Sequence, residues 1–314
     1  MGDRVVTKPI RIAVMGLGKI ARDQHLPSIA ESPDFELVAT VSRSSALDAT
    51  PNYETIDALL AEDLGLDAVS LCMPPQARFQ PAMAAIRAGK HVMLEKPPGA
   101  TLLEVQILDR AARTAGISLF ATWHSRHAPA VEIAKDHLAG DVIKNVRIDW
   151  KESVRKWHPG QEWIWQPGGL GVFDPGINAL SILTTILPTD VFLERSKLAF
   201  PRNKDAPIAA DLVFSDGGDL RVEAHFDWRV EGGEIWEISV ETADRELQLK
   251  AGGSELLVDG EPVPAGGSGE YAGVYRRFAD LTERGKSDVD LRPLAQVADA
   301  FLLGKRIEVE PFHD

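Results

Sequence analysis

The stretch Ile10-Arg11-Ile12-Ala13-Val14-Met15-Gly16-Leu17-Gly18-Lys19-Ile20-Ala21 decides the fold of the first part of the chain. Its apolar half predicts a short buried strand that runs directly into glycines at the head of a helical segment. This is the G-x-G-x-x-A pattern, whose glycines permit a tight turn and bring the backbone close to a pyrophosphate at the positive end of the helix. Because strand and helix flank the pattern, it predicts a dinucleotide site. The predicted cofactor contacts in this stretch are Gly16, Gly18, Lys19 and Ile20.

Strand and helix signals alternate from this stretch to residue 122. Further buried strands are predicted at residues 35–41, 67–73, 91–94 and 117–121. Thr101 and Glu104 form a capping box for one intervening helix, which Gly116 ends, and Pro27 is expected to interrupt the first helix. This alternation predicts a parallel, doubly wound sheet of the Rossmann type. We therefore expect residues 1–122 to form an NAD(P)-binding domain.

Ligands of such sheets bind outside the carboxyl ends of the strands. The strand at 91–94 ends there in Glu95-Lys96-Pro97. A lysine that closes an apolar run is unusual, because burying an ammonium group is costly without a partner or a chemical task. The structural alternative is a lysine that extends from the strand end into water. This turn and the end of the preceding strand add four predicted cofactor contacts, Cys72, Pro74, Glu95 and Lys96.

The end of the second strand indicates which dinucleotide to expect. An NAD site places an acidic residue there to bind the ribose hydroxyls, whereas this chain has Ser42-Arg43. Ser42 can donate a hydrogen bond, and Arg43 can bind a 2′-phosphate or stack on adenine. The sequence thus predicts that NADP is preferred and NAD accepted. The alternative is that Arg43 is a solvated loop residue.

The second part of the chain has a different composition. All seven tryptophans lie beyond residue 122, and longer alternating strands replace the short buried ones. Around residues 144–154, alternation places Glu152 on an otherwise apolar face. We predict an α+β substrate-binding domain over residues 123–314, with an open, mostly antiparallel sheet. The polar face of that sheet faces water or a second copy of the chain, so a homo-oligomer is a possible partner.

Charge and cysteine content exclude several classes of function. A formal charge of −13 argues against a nucleic-acid or anionic-membrane surface. Cys72 is the single cysteine, so no disulfide forms within the chain, and no metal site is predicted. The first six residues carry no apolar targeting segment, and no apolar run reaches the length of a membrane span. A cytoplasmic protein is expected.

A second stretch with chemical potential is Pro167-Gly168-Gly169-Leu170-Gly171-Val172-Phe173-Asp174-Pro175-Gly176-Ile177-Asn178. Its glycines are expected to let the backbone lie close to a ligand, and helical spacing places Asp174 and Asn178 on one face. The alternative is that these two residues cap a helix, where aspartate and asparagine are both favoured.

Together, these motifs resemble the glucose-fructose oxidoreductase, inositol dehydrogenase and MocA family over essentially the whole chain. The stretches 18–27, 121–126 and 157–160 resemble the bacterial members that oxidise L-arabinose and D-galactose at C1. The resemblance implies NAD(P)-dependent oxidation of an aldopyranose to the aldonolactone, with Lys96 and Asp174 acting at the substrate. Many members carry histidine four residues after that aspartate, where this chain has Asn178.

This departure leaves two candidates for the proton acceptor, because an asparagine amide exchanges no proton near neutral pH. We favour Asp174, with Lys96 stabilising charge on the C1 oxygen and Asn178 orienting the sugar. The reverse assignment of Lys96 and Asp174 stays open. Beyond the proposed catalytic residues and Glu95, the candidate sugar ligands are His124, Glu152, Trp157, His158 and Trp236. Each could instead be a satisfied core residue, and Trp163 and Trp165 are assigned to the core.

Two other functions stay open. A dehydrogenase of the same family could act on an inositol or another sugar. A sugar-binding regulator, like the yeast galactose-pathway repressor of the same superfamily, would keep the nucleotide site and lose the chemistry. The presence of both Lys96 and Asp174 argues against the regulator.

Overall fold

A computed structural model describes residues 8–267 and 269–313. The six opening residues, on which the expectation about a targeting segment rests, lie outside these ranges. The chain divides into two compact units. The first runs to His124 and also contains Glu270–Asp290, and the second contains Ser125–Gly269 and the residues from Leu291 onward.

The first unit is built on a six-stranded sheet in which every neighbouring pair is parallel. Its strands are β1 (Ile10–Met15), β2 (Phe35–Val41), β3 (Asn52–Tyr53), β4 (Ala68–Leu71), β5 (His91–Leu94) and β6 (Leu119–Ala121), in the order β3-β2-β1-β4-β5-β6. The helices that follow strands are α1 (Leu26–Glu31), α2 (Ile56–Leu60), α3 (Phe79–Arg87) and α4 (Leu102–Ala115). The predicted doubly wound parallel sheet is confirmed.

Local signals explain how two of these helices begin and end. The hydroxyl of Thr101 accepts a hydrogen bond from the backbone N–H of Glu104, and Gly116 ends α4 with a positive φ of 68°. The expectation for Pro27 was wrong, because the chain is helical without a break from residue 19 to 31. A π-helical turn, Ala21–His25, precedes α1, and Pro27 lies in the first turn of α1. Proline lacks the N–H that would pair with the preceding turn, and a π-helical turn is one of the irregularities by which a continuous helix accommodates such a loss.

The second unit contains a nine-stranded mixed sheet. Its strands are β7 (Ile143–Lys151), β8 (Phe192–Pro201), β9 (Ala209–Ser215), β10 (Arg221–Asp227), β11 (Ile235–Thr242), β12 (Glu246–Lys250), β13 (Glu255–Val258), β14 (Glu261–Val263) and β15 (Lys305–Val309). They are ordered β14-β13-β12-β11-β7-β10-β9-β8-β15, and only β7–β10 and β8–β15 pair in parallel. The predicted, mostly antiparallel sheet is confirmed.

The second unit also contains helices, and some of them pack against strands β7, β8 and β12 of the sheet. They are α5 (Val131–Leu138), α6 (Val154–Trp157), α7 (Phe173–Ile186) and, after α8 (Glu270–Arg284) of the first unit, α9 (Arg292–Leu303). Val146, Ile148 and Trp150 of β7 are buried whereas Arg147 is exposed, which is the alternation that the sequence predicts. Within the described ranges, no helix combines the length and the apolar composition that crossing a bilayer requires.

Helix α8 lies in a different unit from the one that the sequence division implied. Residues 123–314 were assigned to the second domain, but Val274, Tyr275 and Phe278 pack with Ile12 and other strand residues in the core of the first unit. An amphipathic pattern shows that a helix has an apolar face, but it does not show which sheet that face covers. The return of the chain to the first sheet was therefore not foreseen.

Candidate active site

The two glycines of the turn after β1 differ in whether the local structure requires them. Gly16 has a φ of +91°, and a Cβ there would lie 2.7 Å from the backbone nitrogen of Met73. Any side chain at this position would therefore strain the turn. Around Gly18, by contrast, a Cβ would meet open space, so this glycine is not required by packing within its own unit. A turn of this shape at the start of a helix fits the pyrophosphate of a dinucleotide.

Lys19 and Ile20 form the start of the helical stretch after this turn. Lys19 is exposed and forms an ion pair with Asp23 one helical turn later, whereas Ile20 is half-buried. Their predicted contact with the cofactor remains a proposal.

The end of β2 carries a free guanidinium. Arg43 is exposed, and among the described residues none holds it by a hydrogen bond or an ion pair. The hydroxyl of Ser42 accepts hydrogen bonds from the backbone N–H groups of Ser44 at 3.4 Å and Ser45 at 3.3 Å. These two hydrogen bonds hold the loop after β2 in a turn around the Ser42 hydroxyl. The side chain of Arg43 takes no part in them and is available to bind an anionic ligand. These residues lie at the end of β2, where sheets of this type bind the adenosine ribose.

The strands at the centre of the sheet end in a buried polar region. The thiol of Cys72 lies 3.5 Å from the hydroxyl of Ser70, and Pro74 and Pro75 follow. Arg78 is 2% exposed and donates to the carbonyl oxygens of Met73, Glu95 and Pro97. Burial lowers the pKa of Arg78 to about 10, which still leaves the guanidinium charged near neutral pH. Nothing in the sequence identified this arginine as important.

Glu95 occupies the position after β5 and is almost fully buried, at 3% exposure. Its Oε1 accepts from the hydroxyl of Tyr271 at 2.6 Å and lies 3.2 Å from Nε2 of His25, while its Oε2 accepts from the backbone N–H of Lys96 at 2.6 Å. Burial alone would raise the pKa of Glu95, but the hydrogen bond and charge of His25, the charge of His124 and the hydrogen bond from Tyr271 lower it to about 2. The carboxylate is therefore ionised and already bound within the protein.

Lys96 is half-buried at the same turn, and its peptide bond to Pro97 is cis. His124 is the third residue after β6. The Nδ1 atom of His124 lies 2.5 Å from Glu270, and its ring stacks on Tyr271 with centroids 5.3 Å apart. His124, predicted as a sugar ligand, is thus held by the first turn of α8.

In the second unit, Asp174 lies in the first turn of α7 and is 5% exposed. The N-cap position belongs to Val172, whose side chain makes no capping hydrogen bond, so Asp174 lies inside the helix and not at its N-cap. Instead, Oδ2 of Asp174 lies 3.5 Å from Nε2 of His158. Asn178 follows one helical turn later and is half-buried, and within the described ranges its side-chain amide has no hydrogen bond.

Glu152 lies on the buried face of the sheet, as its position in the alternating pattern predicted. Each of its carboxylate oxygens accepts an indole N–H, one from Trp228 at 3.3 Å and one from Trp236 at 2.8 Å. The ring of Trp157 packs edge-on against Trp236 at 5.8 Å, and the ring of His158 lies 5.1 Å from Trp228. We call Trp157, Trp228 and Trp236 the indole cluster. It joins Glu152 to the His158–Asp174 pair.

Close packing within the second unit requires two glycines of the loop before α7. A Cβ on Gly169 would lie 2.4 Å from the carbonyl oxygen of Ile164, and one on Gly171 would lie 2.3 Å from that of Pro207. These glycines allow the loop to pack against the protein's own backbone, and this accounts for them without a ligand.

Most of the polar groups at these sites were predicted from the sequence, but the residues that bind them were not. His25, Arg78, Trp228 and Tyr271 were given no role. His25 lies within a stretch that carried the family resemblance, which was a usable signal, whereas Tyr271 lies far from the other site residues in the chain.

Comparisons with known proteins identify the family. A model described as an oxidoreductase family with an NAD-binding Rossmann fold matches residues 10–122. Galactose 1-dehydrogenase from Pseudomonas fluorescens is 45% identical over 308 residues, which cover 98% of this chain and 100% of that protein. The chain belongs to the Gfo/Idh/MocA family. It is therefore an oxidoreductase, and the resemblance drawn from the motifs is confirmed.

Solved structures of family members support the same conclusion. The crystal structure of D-galactose-1-dehydrogenase from Rhizobium etli matches with a TM-score of 0.93 and 57% identity, over 97% of this chain and 98% of that one. A 3-ketoreductase from Actinomadura kijaniata, solved with TDP-benzene and NADP, matches with a TM-score of 0.80 over 96% of this chain and 100% of that one. At 20% identity, this second likeness shows the fold alone.

Proposed function

We propose that this Gfo/Idh/MocA protein is an NAD(P)-dependent aldose 1-dehydrogenase that oxidises D-galactose and L-arabinose at C1 to the aldonolactone. Two relatives that cover nearly the whole chain are named as galactose 1-dehydrogenases, and they support this substrate class. The observation that carries the proposal is the His158–Asp174 pair at 3.5 Å, because oxidation of a hydroxyl needs a positioned proton acceptor.

The proposed roles follow from the chemistry of each side chain. A bound nicotinamide supplies the hydride acceptor. Asp174 accepts the proton of the C1 hydroxyl, and the adjacent imidazole of His158 can then take that proton from the carboxylate. Lys96 stabilises negative charge as it develops on the C1 oxygen. The amide of Asn178 orients the hydroxyls of the sugar through hydrogen bonds.

Recognition of the sugar falls to the second unit. A pyranose has hydroxyls that need hydrogen-bonding partners and an apolar face that packs on aromatic rings. Trp157 and Trp236 keep exposed ring surface for that face, whereas Trp228 is buried, and Glu152, at 6% exposure, stays a proposed hydroxyl ligand. His124 remains a proposed contact from the first unit.

The cofactor is proposed to be NADP in preference to NAD. The support is the exposed guanidinium of Arg43 at the end of β2, without an acidic residue beside it. The protein is also proposed to act in the cytoplasm. It is further proposed to pair with a second copy through the polar face of the second unit's sheet, and light scattering in solution can test this pairing.

The deciding experiment is a substrate panel with the purified full-length chain. D-galactose, L-arabinose, other aldoses and inositols are each incubated with NADP or NAD while absorbance of the reduced cofactor is followed, and the product is analysed by NMR for lactone. We expect turnover of galactose and arabinose, with lactone formed first. Turnover of inositols without turnover of either aldose would reject the proposal.

A further inference from the structure

The Glu-Lys-Pro turn is held from inside the first unit by a buried carboxylate. Glu95 was expected to contact cofactor or substrate, but its two oxygens receive the hydroxyl of Tyr271, the imidazole of His25 and the backbone N–H of Lys96. At 3% exposure, this carboxylate has little surface left for a ligand. Its position suits a different task, which is to hold the peptide group in front of Lys96.

The same turn is held on its other side by a buried cation. The guanidinium of Arg78 donates to the carbonyl oxygens of Glu95 and Pro97, the residues that flank Lys96, and to that of Met73 after β4. Hydrogen bonds to charged groups are stronger than neutral ones, and in a buried region they are not screened by water. The backbone on both sides of Lys96 is therefore bound to ionised side chains.

The groups behind Glu95 come from distant parts of the chain. His25 ends the π-helical turn that follows the glycine turn, and Tyr271 lies in the first turn of α8. His25 is fully buried, and its Nδ1 lies 2.8 Å from the hydroxyl of Tyr275, also in α8. Burial lowers the pKa of His25, but the interactions with Cys72, Tyr275 and Glu95 raise it well above 6.5 overall, which favours an imidazolium facing the Glu95 carboxylate. Burial and the charge of Glu95 raise the pKa of Tyr271, so its hydroxyl stays a donor.

We propose that Glu95, Arg78, His25 and Tyr271 are positioning residues that fix the backbone of Lys96 so that its amine is correctly placed on the substrate. This rests on the proposed function, in which Lys96 stabilises charge at C1. Misplacing a group by about 1 Å can lower a rate by roughly a hundredfold, so loss of one member of this set should lower kcat without abolishing cofactor binding.

The kinetic test uses Tyr271→Phe, which keeps the ring and removes the hydroxyl that binds Glu95. The matched control is Tyr275→Phe, because Tyr275 lies in the same helix, is equally buried, and binds His25 instead of Glu95. For Tyr271→Phe we expect kcat with galactose to fall about tenfold or more while the Kd for NADP stays within about twofold. The hydroxyl of Tyr275 reaches the Glu95 carboxylate only through His25. For Tyr275→Phe we therefore expect kcat to fall by less than about threefold. A purely structural role would lower the thermal midpoint of unfolding but leave kcat of the folded variant intact.

A second measurement does not depend on activity. Pro97 and Pro98 have no amide hydrogen, so the N–H of Lys96 is the exchangeable backbone hydrogen at this turn, and its exchange is followed by NMR at its own resonance. Its exchange should be faster in Tyr271→Phe and in Glu95→Gln than in the wild type, and unchanged in Tyr275→Phe. If neither the exchange nor kcat changes in Tyr271→Phe, the positioning role is rejected. If the wild type oxidises no aldose, the proposed function fails, and the exchange result alone decides whether Glu95 holds Lys96.

Discussion

The Nε2 atom of His158 lies 3.5 Å from Oδ2 of Asp174, although the two residues belong to different elements of the second unit. Asp174 lies in the first turn of α7, and His158 follows the short helix α6. At the position four residues after the aspartate, where the family resemblance implies a histidine, this chain has an amide. The structure nevertheless places an imidazole beside Asp174, and it comes from another loop.

This arrangement predicts that His158→Gln lowers kcat by about tenfold to a hundredfold, since a positioned proton-transfer group typically contributes at least that much. The Kd for NADP should not change, because the cofactor fingerprint lies in the first unit. His225→Gln is a matched control, since His225 also contacts an aspartate, Asp211 at 2.8 Å, but on the more accessible face of the sheet, where Asp211 is exposed and His225 half-buried. Steady-state kinetics and cofactor titration of both variants check the prediction. Equal kcat values for the two variants would show that His158 has no part in the reaction.

Loss of either proposed catalytic side chain should affect kcat much more than cofactor binding. Lys96→Ala and Asp174→Ala are each expected to lower kcat at least a hundredfold, in line with the usual contribution of general acid–base groups. Lys286→Ala and Asp216→Ala remove the same charges from exposed positions of the first and second units and serve as controls. Rates at saturating galactose and fluorescence titration with NADPH supply the measurements. A variant that keeps more than about a tenth of the wild-type rate would assign that side chain to structure.

The sequence correctly predicted those parts of the fold in which the pattern of apolar and polar residues directly reflects which side chains are buried. Strands β2 and β5 begin and end at the predicted residues, because a buried parallel strand is a short apolar run with turn residues at both ends. The buried position of Glu152 followed from the two-residue period of a strand in the same way.

What the sequence did not predict depends on contacts between distant segments. Tyr271 binds Glu95 across 176 positions of the chain, and Arg78 reaches backbone carbonyls that carry no sequence signal at all. The pairing of His158 with Asp174 depends on how two loops fold, which residue types alone do not determine.

Glu152→Gln should destabilise the fold, although glutamine and glutamate have nearly the same shape. Each carboxylate oxygen accepts one indole N–H, but glutamine has a single acceptor oxygen, so either Trp228 or Trp236 would face an NH2 group. An unsatisfied buried donor costs about 1–3 kcal/mol, and we expect that loss in the free energy of unfolding together with a higher KM for galactose. Denaturant unfolding and steady-state kinetics measure the two effects.

A double-mutant cycle with Trp236→Phe tests the cause. In that background only one indole N–H contacts Glu152, so Glu152→Gln should cost clearly less stability than in the wild type. Additive effects of the two substitutions would contradict the shared-acceptor explanation.

The Glu95 carboxylate should make stability sensitive to acid. Its pKa is lowered from 4.5 to about 2 in the folded chain, so the unfolded chain binds one more proton in this range. A group with a depressed pKa stabilises the fold above its unfolded pKa, and that contribution is lost as pH falls from 4.5 towards 2. The expected loss is about 3 kcal/mol, because each pKa unit corresponds to about 1.4 kcal/mol. Denaturant unfolding at several pH values should show a shallower acid dependence for Glu95→Gln, whereas Glu31→Gln, at an exposed position, should keep the wild-type slope.

Arg43 is expected to determine the preference between the two cofactors. Its guanidinium is exposed and, across the described ranges, is held by no other side chain, so it is free to bind the 2′-phosphate of NADP. A charge-assisted hydrogen bond contributes about 1.5–3 kcal/mol, which corresponds to roughly a tenfold to hundredfold preference for NADP in kcat/KM. Arg43→Ala should therefore raise KM for NADP and leave the KM for NAD nearly unchanged. Arg113→Ala, which removes an exposed arginine from α4 of the same unit, controls for the loss of one positive charge. If Arg43→Ala weakened both cofactors equally, the guanidinium would be stacking on adenine, which the two dinucleotides share, and the preference for NADP would need another cause.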